Sequence, residues 1–236
     1  MVRQWHFALG ALALLAPAAH AKTPHELHYL TADDVAPSRV LPAPPAPGSV
    51  DEQAELAEVR AIIAASTPAR HEQALWDQEH EDPGLFDKTL GLELEKLPVT
   101  WALLKEVQAE ATAAVDLSKA YYHRTRPWGV DPSIPSCEHA PEHKPTNSYP
   151  SGHGILGYAT GTVLAALLPS RAAEILGRAA DYGLSREVCG VHFPSDIEAS
   201  HVLGTLVAVK LLANPAFKAK VADARREMAA AHVGGI

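Results

Sequence analysis

The chain has 236 residues, of which 20 are Lys or Arg and 28 are Asp or Glu, so its formal net charge at neutral pH is −8. An acidic chain argues against nucleic acid or an anionic membrane surface as the main partner, although a local cationic pocket is compatible with it. The length fits one ordinary domain with a sizeable core. We therefore expect a single-domain protein with no nucleic-acid partner.

The first 21 residues have the pattern of a secretion signal. Arg3 precedes an apolar run that ends near Leu15, and the segment closes on the small-x-small pattern of residues 19–21. A membrane anchor is the alternative, but the run is shorter than the ~20 apolar residues that span a bilayer. We expect residues 1–21 to be removed, and we expect a periplasmic protein without membrane insertion.

Residues 22–50 are rich in proline and predict an extended arm that lies on the body or is partly mobile. Beyond the arm, apolar residues recur at helical spacing in 51–66, 71–80, 97–122, 155–168, 171–183, 197–212 and 217–230. No segment alternates convincingly with a period of two, and prolines make 127–149 an irregular stretch. The pattern predicts a compact all-α helical bundle, a single domain over residues 51–236.

A first polar cluster lies at the end of the long predicted helix, where Lys119 precedes Arg126 by seven residues. This spacing is close to two helical turns, so both cations are predicted on one helix face, with Pro127 stopping the helix just beyond. Taken alone, a pair of cations is more typical of a solvated face.

A second cluster, Ser151-Gly152-His153, stands directly before an apolar helix. Ser151 is a good N-cap residue, and the free N–H groups of a helix start bind anions well. A cap without any functional role is the alternative.

The third cluster contains Arg186, His192 and Asp196. Pro194 suits a first helical position, which puts Asp196 in the opening turn, within reach of one imidazole nitrogen of His192. Such a bond fixes the tautomer and leaves the other nitrogen free to attack, as in catalytic triads. A lone His–Asp pair is, however, structural more often than catalytic.

Together the clusters supply what phosphoryl transfer requires. Lys119, Arg126 and Arg186 would neutralise phosphate oxygens, and the planar guanidinium matches pairs of these oxygens. Amides near Gly152 would stabilise charge that develops on the phosphoryl oxygens. The sequence thus predicts a phosphate site flanked by two histidines.

These residues resemble the signature of the phosphatidic acid phosphatase type 2 superfamily, and within it the class A bacterial non-specific acid phosphatases. The signature reads K-x6-R-P, then P-S-G-H, then S-R-x5-H-x3-D, and the chain contains all three parts in this order. The proline-rich start and the stretch 185–192 also resemble class A members. The likeness extends over nearly all of the chain after residue 21.

The resemblance implies an all-α acid phosphatase that hydrolyses small-molecule phosphate monoesters, with broad specificity and without a metal or cofactor. It implies that His192 takes up the phosphoryl group, that Asp196 supports His192, and that His153 protonates the leaving group. The phosphate would be held by Lys119, Arg126, Ser151, Gly152, His153 and Arg186. Relatives are often oligomeric, so a homo-oligomer is compatible with the sequence. We expect a pH optimum below neutrality, because His153 must carry a proton while His192 stays neutral.

Three positions depart from the resemblance. Thr125 stands where proline is frequent, Gly154 stands where many relatives carry threonine, and Phe193 replaces a common tryptophan. None of these changes removes a catalytic atom. We expect them to affect substrate preference, because residues beside the histidines shape the leaving-group pocket.

Four other functions share part of this pattern. A vanadate-dependent haloperoxidase has a similar site but a larger chain, and a membrane lipid-phosphate phosphatase needs several transmembrane helices. A non-catalytic phosphate-binding protein would not need His192 with Asp196. A metal hydrolase is the fourth alternative, but the sequence contains no H-E-x-x-H motif. Four other histidines, namely His123, His139, His143 and His201, are expected at the surface or behind the site.

The two cysteines, Cys137 and Cys189, are expected to form one disulfide in an oxidising compartment. Two buried free thiols are the alternative. A disulfide would tie the proline-rich loop to the segment that precedes His192.

Overall fold

The computed structural model describes residues 25–137 and 145–233, and within these ranges every regular element is helical. The α-helices there are α1 (Pro37–Val40), α2 (Val50–Ala65), α3 (Pro68–Glu79), α4 (Asp87–Leu90), α5 (Pro98–Tyr122), α6 (Pro127–Val130), α7 (Gly152–Leu167), α8 (Ala172–Val188), α9 (Pro194–Ala213) and α10 (Pro215–Ala230). Three 3-10 turns lie at Pro83–Phe86, Leu94–Lys96 and Pro169–Arg171. The predicted all-α fold is confirmed; the predicted signal, residues 1–21, lies outside the described residues.

Short polar side chains and prolines set the helix starts. The Ser49 side chain accepts a hydrogen bond from the Glu52 amide at the start of α2, and Thr67 accepts one from the Arg70 amide at the start of α3. Proline occupies the first turn of α3, α5, α9 and α10, where its missing N–H costs nothing. These local signals explain why the periodic segments of the sequence coincide closely with the observed helices.

Helix α7 forms the centre of the bundle and packs on α5, α8 and α9. Glycines allow this close packing: a Cβ added at Gly157 or Gly161 would lie about 3 Å from side-chain atoms of α8 or of the turn at Pro83–Phe86. From α9, a Cβ added at Gly204 would lie 3.0 Å from the carbonyl oxygen of Ile155. Helices α2, α3 and α10 cover this inner set from outside.

The proline-rich arm, described from residue 25, lies along the body and contains only the single turn of α1. Leu30, Val35 and Leu41 are buried in the main core. The Tyr122 hydroxyl donates to the carbonyl oxygen of Leu41 at 3.0 Å, and the Tyr149 hydroxyl donates to that of Pro42 at 2.8 Å. The arm is therefore held by side-chain packing and by bonds to its own backbone.

The end of α8 differs from its prediction, and α5 ends with its periodic segment instead of continuing to Pro127. Helix α5 ends at Tyr122, because His123 adopts a left-handed conformation with φ of 50°. Lys119 and Arg126 therefore do not share a helix face, which corrects the geometric argument made from their spacing. Helix α8 continues to Val188, five residues past its predicted end, so Arg186 lies in its last turn.

Within residues 25–137 and 145–233, no single helix is both long and apolar enough to span a bilayer. Helices α9 and α10 pass the length and composition test only as a pair, and the pair is bent by 91°.

Candidate active site

Four chain segments meet at one end of the bundle: the end of α5 with the residues that follow it, the start of α7, the end of α8, and the start of α9 with the turn before it. The site residues predicted from the sequence all come from these segments. His153, His192, Asp196, Arg126, Arg186 and Ser151 are buried, whereas Lys119 and Gly152 are partly exposed.

His192 lies in the turn before α9, with its two ring nitrogens in different surroundings. Nδ1 lies 3.3 Å from Oδ2 of Asp196, one helical turn further on, and Nε2 lies 3.5 Å from Nη1 of Arg126. A carboxylate accepts a hydrogen bond and a guanidinium only donates one, so Nδ1 carries the hydrogen. Nε2 therefore presents its lone pair to the cationic side of the site.

The electrostatic surroundings keep His192 neutral. Burial holds the pKa of His192 well below its usual value, and the charges of Arg126, Arg186 and Lys119 lower it further. A hydrogen bond with the Ser148 backbone opposes this shift only in part. His192 can therefore keep a nucleophilic nitrogen at pH values where a solvent-exposed histidine is protonated.

Asp196 is fully buried and is held from several directions. Oδ2 accepts hydrogen bonds from the Ser148 hydroxyl at 2.5 Å and from the Phe193 amide at 2.8 Å, while Oδ1 accepts one from Arg124 at 2.7 Å. Burial raises the pKa of Asp196, and Arg124 and the two hydrogen bonds counteract that rise. These contacts fix the carboxyl group against Nδ1 of His192.

His153 lies in the first turn of α7, and its hydrogen bonds select the other tautomer from that of His192. Its Nε2 lies 3.2 Å from the carbonyl oxygen of Gln78, which can only accept, so Nε2 carries a hydrogen. Nδ1 is thus the nitrogen that can exchange a proton, and it lies 3.5 Å from Oε1 of Glu81. Burial, followed by the charge of Arg186, holds the pKa of His153 well below its usual value.

The three predicted cations converge although they come from three separate segments. Nη1 of Arg126 also donates to the Val191 carbonyl at 3.2 Å, and Nη1 of Arg186 donates to the side chain of Gln78. Nζ of Lys119 lies 3.6 Å from the point where a Cβ on Gly152 would stand. The site therefore concentrates positive charge inside a chain that is acidic overall.

The start of α7 adds backbone donors. Ser151 caps the helix by accepting a hydrogen bond from the Gly154 amide at 3.2 Å, and the Ser151 amide donates to Ser200 at 2.9 Å. The first amides of an α-helix have no acceptor within the helix, so those of Gly152 and His153 are available to an anion. The predicted anion site at this helix start thus has a structural basis.

A disulfide joins Cys137 and Cys189, and the Cys137 amide donates to the Cys189 carbonyl at 3.0 Å. This pairing attaches the proline-rich loop to the end of α8. Gly190 follows with φ of 65°, and a Cβ there would lie 2.1 Å from the carbonyl oxygen of Pro135. Only glycine fits this turn, which leads directly to His192.

The three departures from the family pattern occupy packing positions. Gly154 lies against Ser200, where an added Cβ would come within 2.7 Å of the serine Cβ, and Thr125 lies against Gly129. Phe193 is fully buried, and its ring centroid lies 3.9 Å from the Arg124 guanidinium carbon. These contacts give the three residues packing roles, and their effect on substrate preference stays a prediction.

Several residues of the site were not predicted from the sequence. Arg124, Ser148, Gln78 and Glu81 contact the catalytic candidates through tertiary structure alone, and Glu55 contacts Arg124 and Ser195. The adjacency of Arg124 to the first cluster was the one local signal. The other four lie in segments whose contacts with the site depend on how α2, α3 and the proline-rich loop fold against it.

Of the four histidines expected at the surface or behind the site, two lie within the described residues. His123 ends α5, and His201 stacks on Tyr158 at a ring-centroid distance of 4.6 Å; His139 and His143 lie outside the described residues. Within the described ranges, no group of three or more His, Cys, Asp or Glu side chains is arranged to hold a metal ion.

Comparison with known proteins agrees with this geometry. Residues 101–218 match the PAP2 superfamily. A non-specific acid phosphatase of Salmonella typhimurium is 32% identical over 169 residues, which span 65% of this chain and 66% of that protein. The non-specific acid phosphatase of Providencia stuartii is 29% identical over 232 residues, 93% of this chain and 92% of the relative. An acid phosphatase of Zymomonas mobilis is 31% identical over 141 residues, 59% of this chain and 53% of the relative.

The superfamily match covers half of the chain and contains all three motifs, from Lys119 to Asp196, together with the four segments that meet at the site. The chain belongs to the PAP2 superfamily.

Proposed function

We propose that the protein is an acid phosphatase that hydrolyses phosphate monoesters of broad specificity through a phosphohistidine intermediate, without a metal ion. One observation carries the proposal: two buried histidines flank one cationic pocket, and their hydrogen bonds leave Nε2 of His192 and Nδ1 of His153 as the reactive nitrogens. The named relatives, all acid phosphatases, support the same activity.

In the first step, Nε2 of His192 attacks phosphorus while the bond between phosphorus and the ester oxygen breaks. Nδ1 of His153 gives its proton to the departing oxygen, so an alcohol leaves and a phosphohistidine remains. Asp196 stabilises the positive charge that develops on the imidazole. Lys119, Arg126 and Arg186, with Ser151 and the amides near Gly152, hold the phosphoryl oxygens; each donor of this kind typically contributes ~10²–10³ in rate.

In the second step, His153 takes a proton from water, and the resulting hydroxide attacks phosphorus. The bond between phosphorus and Nε2 of His192 breaks, inorganic phosphate leaves, and both histidines return to their starting states. The two half-reactions use the same groups in reverse order, so no additional acid or base is needed.

The pH dependence follows from the same roles. The lowered pKa of His192 keeps the nucleophile neutral in mild acid. Burial and Arg186 lower the pKa of His153 in the empty site, and a bound phosphate anion raises it again. Because a phosphate monoester itself gains a proton near its second pKa of about 6, the proton that the leaving group needs is most available below neutrality. Activity should decline above pH 7.

The proposal also includes a substrate class and a cellular location. Small phosphate esters are the expected substrates, since the cationic site is set within an acidic chain. A periplasmic location rests on the sequence pattern of residues 1–21 and fits a disulfide between Cys137 and Cys189.

The test is phosphate release from p-nitrophenyl phosphate at about pH 5.5 in EDTA, with purified protein and with His192→Ala. We expect turnover by the wild type and a loss of more than 10³-fold in the variant, because removal of a covalent nucleophile removes the pathway. Reaction with ³²P-labelled substrate, quenched in alkali because the phosphorus–nitrogen bond of phosphohistidine hydrolyses in acid, should label the wild type on histidine and leave His192→Ala unlabelled.

His201→Ala is the matched control, because His201 lies away from the site and should retain wild-type turnover. Folded wild type without any turnover would contradict the proposal, and peroxidase activity with added vanadate would then be measured. Turnover that EDTA abolishes and zinc restores would replace the histidine mechanism with metal hydrolysis.

A further inference from the structure

Glu81 places a carboxylate beside the proton-donating histidine, although none of the three motifs includes it. Oε1 of Glu81 lies 3.5 Å from Nδ1 of His153, and the same oxygen lies 3.6 Å from the point where a Cβ on Gly152 would stand. The side chain of Glu81 is 56% exposed, so it lies at the open side of the site rather than behind it.

The backbone around Glu81 is held in place from two helices. The Tyr182 hydroxyl of α8 donates to the carbonyl oxygen of His80 at 2.8 Å, and Nε2 of Gln108 in α5 donates to the carbonyl oxygen of Glu81 at 2.8 Å. The backbone of Glu81 is therefore fixed next to His153, although the carboxylate itself reaches solvent.

Glu81 lies on the leaving-group side of the reaction. Because Nε2 of His153 is bonded to the Gln78 carbonyl, proton transfer must use Nδ1, and the leaving oxygen must come within hydrogen-bond distance of that nitrogen. A group attached to the leaving oxygen thus enters the space that the Glu81 carboxylate faces. The transferred phosphoryl group lies on the other side, toward His192 and the cations.

We propose that Glu81 selects substrates by the charge of their leaving group: it disfavours esters whose alcohol part is anionic and favours those whose alcohol part is neutral or cationic. This inference rests on the proposed phosphatase function. The repulsion between Glu81 and the phosphoryl group is common to all monoesters, so it cancels when substrates are compared. The charge on the alcohol part does not cancel.

The expected size follows from Coulomb's law. Two unit charges several Å apart at a water-exposed site interact by about 1 kcal/mol, between the values for bulk water and for a protein surface. An interaction of this size changes kcat/KM by about fivefold, since tenfold corresponds to about 1.4 kcal/mol. Salt should weaken the effect because the carboxylate is exposed.

The experiment uses three small esters with similar alcohol parts: 2-phosphoglycolate (anionic), 2-hydroxyethyl phosphate (neutral) and phosphoethanolamine (cationic). The kcat/KM of each is measured with wild type, Glu81→Gln and Glu81→Lys at one pH and low ionic strength. Ratios between variants cancel the intrinsic reactivity of each ester. Glu79→Gln is the matched control, because this exposed glutamate ends α3 two residues earlier and no ion pair with His153 is observed for it.

In Glu81→Gln, we expect kcat/KM for 2-phosphoglycolate, relative to 2-hydroxyethyl phosphate, to rise about fivefold, and that for phosphoethanolamine to fall by a similar factor. Glu81→Lys should enlarge both changes in kcat/KM ratio. Glu79→Gln should leave both ratios within about twofold of wild type, because Glu79 is exposed and the ion pair with His153 is made by Glu81.

Unchanged ratios in both Glu81 variants would overturn the inference while leaving phosphatase activity established. An equal loss on all three esters would also overturn it, because Glu81 would then act on the proton of His153 instead of on the leaving group. If the folded wild type released phosphate from none of the three esters, the proposed function itself would fail.

Discussion

Arg124 is a buried cation with no place in the family motifs, yet its contacts converge on Asp196, the carboxylate beside His192. One guanidinium nitrogen donates to Oδ1 of Asp196 and to the Ser195 hydroxyl, each at 2.7 Å, and the other donates to Glu55 at 2.5 Å. Its plane stacks on Phe193. Arg124 therefore positions Asp196 and offsets the cost of burying its charge.

Substitution Arg124→Met should lower kcat/KM more than tenfold and reduce the free energy of unfolding by about 3 kcal/mol, because it leaves Asp196 buried without its cation. The pKa of Asp196, already raised by burial, should rise further. The acidic limb of the pH–rate profile should consequently move to higher pH, which is measured from kcat/KM between pH 3 and 8.

Two further variants separate positioning from general damage. Arg226→Met removes an exposed arginine of α10. It should leave the pH–rate profile unchanged and should change the free energy of unfolding by no more than about 0.5 kcal/mol. Glu55→Gln keeps Arg124 and should shift the acidic limb less than Arg124→Met does. An Arg124→Met enzyme that folds and keeps the wild-type pH profile would refute the positioning role.

At the scale of elements, the turn between α8 and α9 determines where His192 stands. Gly190 provides the left-handed residue after α8, and its amide donates to the Glu187 carbonyl at 2.9 Å. The disulfide joins the adjacent residue to the proline-rich loop, 52 residues earlier in the chain. Closing a loop of this length lowers the conformational entropy of the unfolded chain, which stabilises the folded protein by about 4 kcal/mol.

Substitution Gly190→Ala should reduce the free energy of unfolding by at least about 3 kcal/mol, since it combines an unfavourable backbone conformation with a Cβ 2.1 Å from the Pro135 carbonyl oxygen. Gly177→Ala, in the preceding helix α8, is the matched control: no atom lies within 4 Å of its added Cβ, and alanine should stabilise the helix by about 0.5–1 kcal/mol. Urea unfolding of both variants measures the two changes in free energy of unfolding, which should have opposite signs. A loss at Gly177 equal to that at Gly190 would contradict the role of the turn.

The helices could be predicted from the sequence because their signals are local. Apolar periodicity, an N-cap such as Ser49 or Thr67, and proline in the first turn each act within a few residues. The spacing of Lys119 and Arg126 wrongly suggested that α5 continues past the end of its periodic segment at Tyr122, because no glycine signals the left-handed conformation of His123.

The site was predictable where its residues belong to motifs and unpredictable where tertiary contacts supply them. The orientation of His192 by Asp196 follows from two residues one helical turn apart. The orientation of His153 depends on the Gln78 carbonyl, 75 positions earlier, and the neutralisation of Asp196 depends on Arg124, 72 positions earlier. No local pattern signals contacts over such separations.

For the whole molecule, the balance of buried acids and histidines makes stability depend on pH in opposing ways. Burial and cations depress the pKa values of His153 and His192, so their contribution to stability is lost as pH falls below the unfolded value of 6.5. Glu187 acts in the opposite sense. Burial, reinforced by Glu58 and Asp196, raises its pKa from 4.5 to about 7.

The contribution of Glu187 has a defined window. Because its folded-state pKa is raised, the contribution is fully present below about pH 4.5 and is lost as pH rises through about 7, a total of about 3 kcal/mol. Substitution Glu187→Gln resembles the protonated acid and removes the titration. We expect the variant to match the free energy of unfolding of the wild type at pH 4.5 and to exceed it by about 3 kcal/mol at pH 7.5.

The histidines titrate equally in both proteins, so the difference between the two urea-unfolding curves isolates Glu187. Glu95→Gln, an exposed acid far along the chain, should show no such difference. Parallel pH dependence of wild type and Glu187→Gln would show that Glu187 is ionised in the folded protein throughout this range.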